Sequence, residues 1–378
     1  FADFNTADYP YLQRLLTQGQ VGLAVVRVAG GTTPGKIYLA LNGALPGRVG
    51  EQDSALGVIG STLRQAGKQT AFLGNADLPW QPNRMAKTLL CDVYGVVDHE
   101  ISDRRILRAD ATFPFGFRTD YQRIGDLVLA LLPTTDVILV ETGDLERLEA
   151  YRGLMSDAQW SRQRAVTLAR IDAFLARISS ATPGNTMILL LVAAPSTTGG
   201  NDFPLLPLLI DWKREEPGLL TSPSTRQPGL ITGGDLAGLI VDLTSGTPEG
   251  TNDRWTTGGD WSQLQEERLY WETNLRQRML VFRLYLYLLL FLLLLALWLP
   301  LTRWHHLAIY TRAGFPAIAV LPLTLLLLAP FRITHGPLFA LCLVLGSGGI
   351  WAFIRMFFPT RLLAYRGLFM GTSLVILV

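Results

Sequence analysis

The hydrophobic and polar residues of this chain divide it into two unlike parts, which meet near residue 278. Before that point, short apolar runs alternate with polar segments, whereas most of the chain after it is apolar. The clearest run is Met279–Leu301, which carries no charged residue from Leu284 onward. A helix of roughly 18 residues is about 27 Å long, close to the hydrocarbon thickness of a bilayer. We therefore predict a membrane-spanning helix over 279–301.

Three further apolar runs predict three more membrane-spanning helices. They cover 314–331, 337–354 and 367–378. The last run meets the end of the sequence, and the sequence starts at Phe1 rather than Met, so we expect a fragment of a longer membrane protein. The pattern thus predicts a multi-pass protein of the cell membrane with about four transmembrane helices. The lipid bilayer is then one of its partners.

Arginines in the predicted loops indicate how the helices are oriented. The first and third loops together carry five arginines and the second carries one; these are Arg303, Arg312, Arg355, Arg361 and Arg366 against Arg332. Because basic residues favour the cytoplasmic side, we expect the first and third loops in the cytoplasm and the N-terminal domain outside it. Three arginines that flank the first helix on the outer side argue the other way; they are Arg276, Arg278 and Arg283.

The N-terminal part predicts an α/β domain. Apolar runs typical of strands alternate with helical segments; the strands are 21–29, 70–73, 136–141, 186–193 and 205–210, and the helices are 11–19, 54–66, 126–132, 157–181 and 235–243. Strands that are uniformly apolar are expected to be covered on both faces. We therefore predict a three-layer α/β/α sandwich with a mostly parallel sheet over 1–246, a linker and juxtamembrane helix over 247–278, and a membrane domain over 279–378.

Composition excludes little but removes nucleic acid as a partner. The net charge is only +2, so no basic surface is indicated. The two cysteines are Cys91 and Cys342, and the second lies in an apolar run, which makes a disulfide between them improbable. Histidine is scarce, and none occurs between His99 and His305.

Four segments of the N-terminal part resemble the alkaline phosphatase superfamily of phosphatases, sulfatases and phosphoglyceromutases. TTPGKIYLALNGALPG, starting at Thr32, resembles the turn in which a nucleophilic Thr, Ser or Cys precedes a Pro at a helix start, and Thr33 matches that position. DVILVETGDLERLEAYRG resembles a later strand followed by a metal-binding Asp, which matches Asp144. RIDAFLARISSATPGNTMILLLVAAP and GLLTSPSTRQPGLITGGDLAGLIVDLTSG resemble the segments that follow in these proteins.

The resemblance implies two divalent metal ions, usually zinc or manganese, held by Asp and His. The sequence departs from that pattern, because Leu148 stands where a His is expected after Asp144, and AAPSTTGG stands where Asp-His-Gly is expected. A closed site for two metals cannot be assembled from Asp144 and His99 alone. We therefore expect no cofactor, and zinc or manganese only if the protein is active.

Each candidate residue has two interpretations. Thr33 is a vestigial nucleophile or a helix N-cap before Pro34. Asp144 is a weak metal ligand or an N-cap. Ser222, Ser224 and Arg226, in SPSTRQP, are suited to an anion such as phosphate or an acidic sugar, or form a surface loop with Arg226 tied to a neighbouring carboxylate.

The leading hypothesis is an integral membrane protein of the cell envelope with a catalytically degenerate domain similar to alkaline phosphatases. Its role is binding or scaffolding, with other envelope proteins or anionic envelope ligands as partners. One alternative is an active metal-dependent phosphohydrolase or phosphotransferase. A second alternative is a subunit for membrane transport or export.

Overall fold

The computed structural model describes residues 8–26, 34–42, 57–193, 205–213, 216–222, 224–245, 255–298, 320–328 and 331–357. The described residues separate into two units, Phe1–Leu264 and Gln265–Val378. The strands are β1 Gln20–Val25, β2 Thr70–Asn75, β3 His99–Ile101, β4 Leu107–Ala109, β5 Phe117–Thr119, β6 Val137–Thr142, β7 Ile188–Leu191, β8 Leu205–Asp211, β9 Gly218–Leu220, β10 Leu230–Thr232 and β11 Trp255–Thr257. The helices are α1 Pro10–Gln18, α2 Pro34–Leu41, α3 Val58–Gln65, α4 Tyr121–Leu131, α5 Asp144–Ala150, α6 Asp157–Ala181, α7 Gly233–Ser245, α8 Trp261–Trp298, α9 Leu321–Leu328 and α10 Gly336–Phe357.

The first unit is mixed α/β, as predicted, with its strands in three sheets. A parallel sheet has the order β3-β2-β6. A larger sheet has the order β11-β9-β1-β8-β7, with β10 also paired to β1, and β4 pairs with β5. The larger sheet departs from the predicted parallel arrangement, because β8 runs antiparallel to both β1 and β7. A uniformly apolar strand such as β8 signals burial on both faces but carries no information about direction.

One apolar core joins the two larger sheets. Ala24 of β1, Phe72 of β2 and Leu208 of β8 are fully buried in it. Helices α2, α3 and α7 contribute Ile37, Ile59 and Leu236 to the same cluster. Burying a side chain of this size is worth about 1.5–3 kcal/mol, so this shared core holds the two sheets in one domain.

The helices of the first unit pack in two groups. Helices α2 and α3 contact α7, whereas α1, α4 and α5 contact α6. Helix α6 has the predicted bounds and buries the predicted stripe, which consists of Leu168, Ile171, Leu175 and Ile178. Its start is fixed by a capping box, in which the Ser156 hydroxyl accepts from the Gln159 backbone N–H and the Gln159 side chain accepts from the Ser156 N–H.

Two helices of the described chain are long and apolar enough to cross a membrane. One lies within α8, over Trp261–Leu295, and the other is Gly336–Ile354. Helix α8 is continuous from Trp261 to Trp298, so the predicted juxtamembrane helix and the first apolar run form one element. Helix α9 covers part of the second predicted span, and the fourth, 367–378, lies outside the described residues.

In the second unit, α9 and α10 approach closely at a small residue. A Cβ on Gly346 of α10 would lie 2.9 Å from Thr324 Cγ2 of α9. The hydroxyl groups of Thr324 and Ser347 are 3.0 Å apart and form a hydrogen bond beside this contact. Small residues with a hydrogen bond between helices are typical of packing within membranes.

Candidate functional site

The strongest candidate region lies where the parallel strands β2 and β6 end side by side. Asn75 and Thr142, their last residues, are paired in register. Gly143 and helix α5 follow β6 directly. In open α/β sheets, ligands bind outside the carboxyl ends of the strands, so the chemistry of this edge determines what the domain is able to do.

Asp144 is fully buried at this edge and belongs to a buried ion pair. Its Oδ1 atom accepts from the Thr119 backbone N–H at 2.7 Å and from Arg147 Nη1 at 3.1 Å. Asp144 is the first residue of α5 rather than its cap, since Gly143 occupies the N-cap position. Gly143 lies against β2, where any Cβ would stand 2.3 Å from the Asn75 carbonyl oxygen. That close contact explains why glycine precedes the helix.

Arg147 binds α5 to the end of β2. The side chain is fully buried, and its Nη2 atom donates to the Asn75 carbonyl oxygen at 2.6 Å and to Asn75 Oδ1 at 3.1 Å. Its Nε atom donates to the Asp77 carbonyl oxygen, and the guanidinium lies over the Phe117 ring. Burial lowers the pKa of Arg147, while the Asp144 carboxylate opposes that shift. A guanidinium held this close to Asp144 opposes a second, divalent cation on the same carboxylate.

Glu141 is a second acid at this edge, and the sequence pattern indicated it only as part of the strand 136–141. Its Oε2 atom is buried and has no hydrogen-bond partner among the described residues. Burial raises the pKa of Glu141 to about 8, and the nearby Glu146 carboxylate adds to this shift. Glu141 is therefore largely protonated near neutral pH. The available signal was an acidic residue one position before the end of an otherwise apolar strand, VILVET.

Tyr38 of α2 extends the same group of side chains. Burial raises the pKa of its phenol, and Glu141 and Glu146 contribute to the shift. The edge thus combines a neutral carboxyl group, a neutral phenol and a neutralised aspartate. The Glu141 carboxyl group is able to exchange a proton near neutrality because its pKa is about 8, whereas the Tyr38 phenol stays protonated there. Both neutral groups donate and accept hydrogen bonds, but neither supplies the anionic oxygens that a divalent metal needs.

The SPSTRQP segment folds as a turn before β10. The Ser222 hydroxyl is buried against Thr225, and the Ser224 hydroxyl donates to Asp235 Oδ1 at 3.0 Å. Arg226 is exposed and has a positive φ of 52°. The Ser222 hydroxyl thus stabilises the turn, and the Ser224 hydroxyl binds Asp235 at the start of α7. The carboxylate of Asp235 therefore lies beside the hydroxyl groups that were predicted to bind an anion.

Thr33 lies outside the described residues. In the part of the chain that the structure describes, no group of three or more His, Cys, Asp or Glu side chains is arranged to hold a metal ion. Comparisons with protein-family models, curated proteins and solved structures find no match for this chain.

Proposed function

We propose that this protein is a multi-pass membrane protein whose N-terminal domain lies outside the cytoplasm and acts in binding or scaffolding at the cell envelope. The observation that carries the proposal is the buried ion pair between Asp144 and Arg147. On the resemblance to alkaline phosphatases, Asp144 matches a metal-binding Asp, and the carboxylate of Asp144 pairs with Arg147. On this proposal the domain keeps such a scaffold without the metal-dependent chemistry.

The proposed scaffold is a three-layer α/β/α sandwich. The two groups of helices support this arrangement, since one contacts α7 and the other contacts α6. Strands β1, β2 and β8 are buried on both faces, as in β8, where Leu206, Leu208 and Leu209 are fully buried. A sheet covered on both faces requires a helix layer on each side.

Exposed apolar surface supports the membrane location. The most apolar window of the first candidate span is only 6% buried within the protein. Leu284, Leu290 and Leu294 of α8 are each more than half exposed. Apolar side chains around the whole of a helix are stable in lipid and unfavourable in water.

Contacts within the second unit support a multi-pass path. The Gln277 side chain, just before the first predicted span, donates to the Thr334 carbonyl oxygen at 2.8 Å. Arg332 pairs with Glu267 and lies over the Tyr270 ring, again before that span. Residues 267–277 and 332–334 then share one side of the membrane, so the chain between them crosses it and returns. This agrees with the side that the arginine distribution predicts for the second loop.

The test compares two aspartates in the full chain purified in detergent. We expect no hydrolysis of bis(4-nitrophenyl) phosphate above background with added zinc or manganese. We expect Asp144→Asn to destabilise the protein by roughly 3–5 kcal/mol, since it leaves the buried Arg147 without its counter-charge. Asp157→Asn is the matched control, because Asp157 also pairs with an arginine but its side chain is 90% exposed.

Two outcomes would overturn the proposal. One is metal-dependent turnover that Asp144→Asn abolishes while the melting temperature is unchanged. The other is an equal melting temperature for the Asp144→Asn and Asp157→Asn proteins, because the buried ion pair would then have no structural role.

A further inference from the structure

A separate cavity of the first unit is lined by arginines. Its volume is about 570 Å³, which is within the usual range for small-molecule sites. It lies between the β4–β5 pair, the start of α4 and the middle of α6. Arg108 of β4, Arg118 of β5, and Arg170 and Arg177 of α6 line it, so positive charge reaches it from three elements.

These arginines exceed the carboxylates available to neutralise them. Arg118 and Arg170 share one carboxylate, that of Asp110, at 2.9 Å and 3.9 Å. Arg177 pairs with Asp126, and Asp120 accepts from the Arg123 backbone N–H at the start of α4. The four arginines that line the cavity are thus balanced by three carboxylates, those of Asp110, Asp120 and Asp126.

Two of the four guanidinium groups retain donors without a partner. The Arg108 side chain is exposed, and its guanidinium makes no hydrogen bond or ion pair with any residue that the structure describes. The Nη1 atom of Arg170 is buried, and it likewise has no hydrogen-bond partner in the described chain. Leaving a buried charged donor unpaired is costly, so a bound acceptor would be stabilising here.

The remaining arginines are held in place by the backbone. Arg118 Nη1 donates to the Thr119 carbonyl oxygen, and Arg177 Nη1 donates to that of Gln122, both at 3.1 Å. Thr119 is in turn fixed by the buried Asp144, which accepts its backbone N–H. Preformed donors lose little conformational entropy when a ligand binds. The rings of Tyr121 and Phe174 supply an apolar wall beside these charges.

We propose that this cavity binds a phosphate ester, carried either by a soluble small molecule or by a lipid headgroup. A phosphate monoester has nearly two negative charges at neutral pH and three strong acceptor oxygens, which suits guanidinium groups approaching from several elements. A carboxylate offers one charge and two oxygens. The ester's carbon part packs against Tyr121 and Phe174. The cavity adjoins the strand-end edge through Thr119, which binds Asp144. Its binding test does not use the Asp144–Arg147 ion pair, so the failure of this proposal and the failure of the proposed function are distinguishable.

The test measures binding to the full chain in detergent by isothermal titration calorimetry. Glucose 1-phosphate is the soluble probe, dihexanoyl phosphatidic acid is the lipid probe, and glucuronate is a carboxylate of similar size. Arg108→Gln removes the unpaired guanidinium, and its exposure makes the substitution safe for folding. Arg104→Gln is the matched control, since Arg104 is exposed in the preceding turn and does not line the cavity.

We expect one or both phosphate probes to bind, with Arg108→Gln weakening the binding about tenfold or more and Arg104→Gln leaving it unchanged. The tighter of the two probes identifies the source of the phosphate. The proposal is overturned if neither phosphate probe binds the unmodified protein, if both variants bind equally well, or if glucuronate binds as tightly as glucose 1-phosphate. Melting temperatures of the variants confirm that each remains folded.

Discussion

Glu141 has a buried carboxyl group next to the end of β6, and this has a consequence for stability. Burial raises the pKa of Glu141 from its ordinary value of 4.5 to about 8 in the folded protein. Between these values the unfolded chain releases the proton while the folded protein keeps it. Stability must therefore fall as the pH rises from about 4.5 to about 8, because the folded state binds more protons.

We predict that Glu141→Gln removes this loss. The variant and the unmodified protein should have similar stability near pH 5, and the variant should be more stable near pH 9 by on the order of 2–4 kcal/mol. Melting temperatures across that pH range measure the difference. Glu149→Gln serves as the control, because Glu149 is exposed on the neighbouring helix and its substitution should give no such divergence. A constant difference between Glu141→Gln and the unmodified protein at every pH would contradict the assignment.

The residues of the strand-end site show which features a single sequence conveys. Asp144 was recognisable because it follows an apolar strand. Arg147 was not, since DLERLEA has the composition of a solvent-exposed helix. Its burial depends on the Asn75 and Asp77 carbonyl oxygens, about 70 residues earlier in the chain. The residues near Arg147 in the sequence do not indicate those acceptors, so the burial of Arg147 was not predictable.

At the scale of elements, local signals were sufficient for helix α6 but not for sheet order. They also missed the start of α4, which begins at Tyr121 rather than at the predicted residue 126, and all of α5. The bounds of α6 follow from the capping box at Ser156 and the apolar stripe that ends near Ile178. The neighbours of a strand are set by distant segments, as when β1 pairs with β8, β9 and β10 from the other end of the domain. The burial of β8 was predictable from its own apolar residues. Its antiparallel direction depends on distant partners and was not predictable.

The contact between α9 and α10 provides a prediction at this scale. Gly346→Val would place side-chain atoms against Thr324, which is 2% exposed, and would push the helices apart. We expect a loss of about 1–3 kcal/mol and a lower melting temperature in detergent. Gly348→Val is the matched control, because nothing lies within 4 Å of a Cβ at that position of the same helix. Equal melting temperatures for the two variants would show that this packing is not formed.

At the scale of the whole molecule, the open question is which side of the membrane each part occupies. The arginine distribution predicts that the second loop lies outside, on the side of the N-terminal domain. The contacts of Gln277 with Thr334 and of Glu267 with Arg332 bring that loop to the chain segment before the first span. Sequence and packing thus support the same path from different kinds of evidence.

Single cysteines test this path in a variant whose two native cysteines, Cys91 and Cys342, are replaced by serine. Tyr94→Cys reports on the domain, where Tyr94 is 84% exposed, and His335→Cys reports on the second loop. Both should react with a membrane-impermeant maleimide in intact cells, whereas His306→Cys, in the predicted first loop, should react only after permeabilisation. Labelling of His306→Cys in intact cells, or protection of His335→Cys while Tyr94→Cys reacts, would contradict the path. Because five loop arginines would then lie on the outer side, such a result would require a force other than the positive-inside preference to orient this protein.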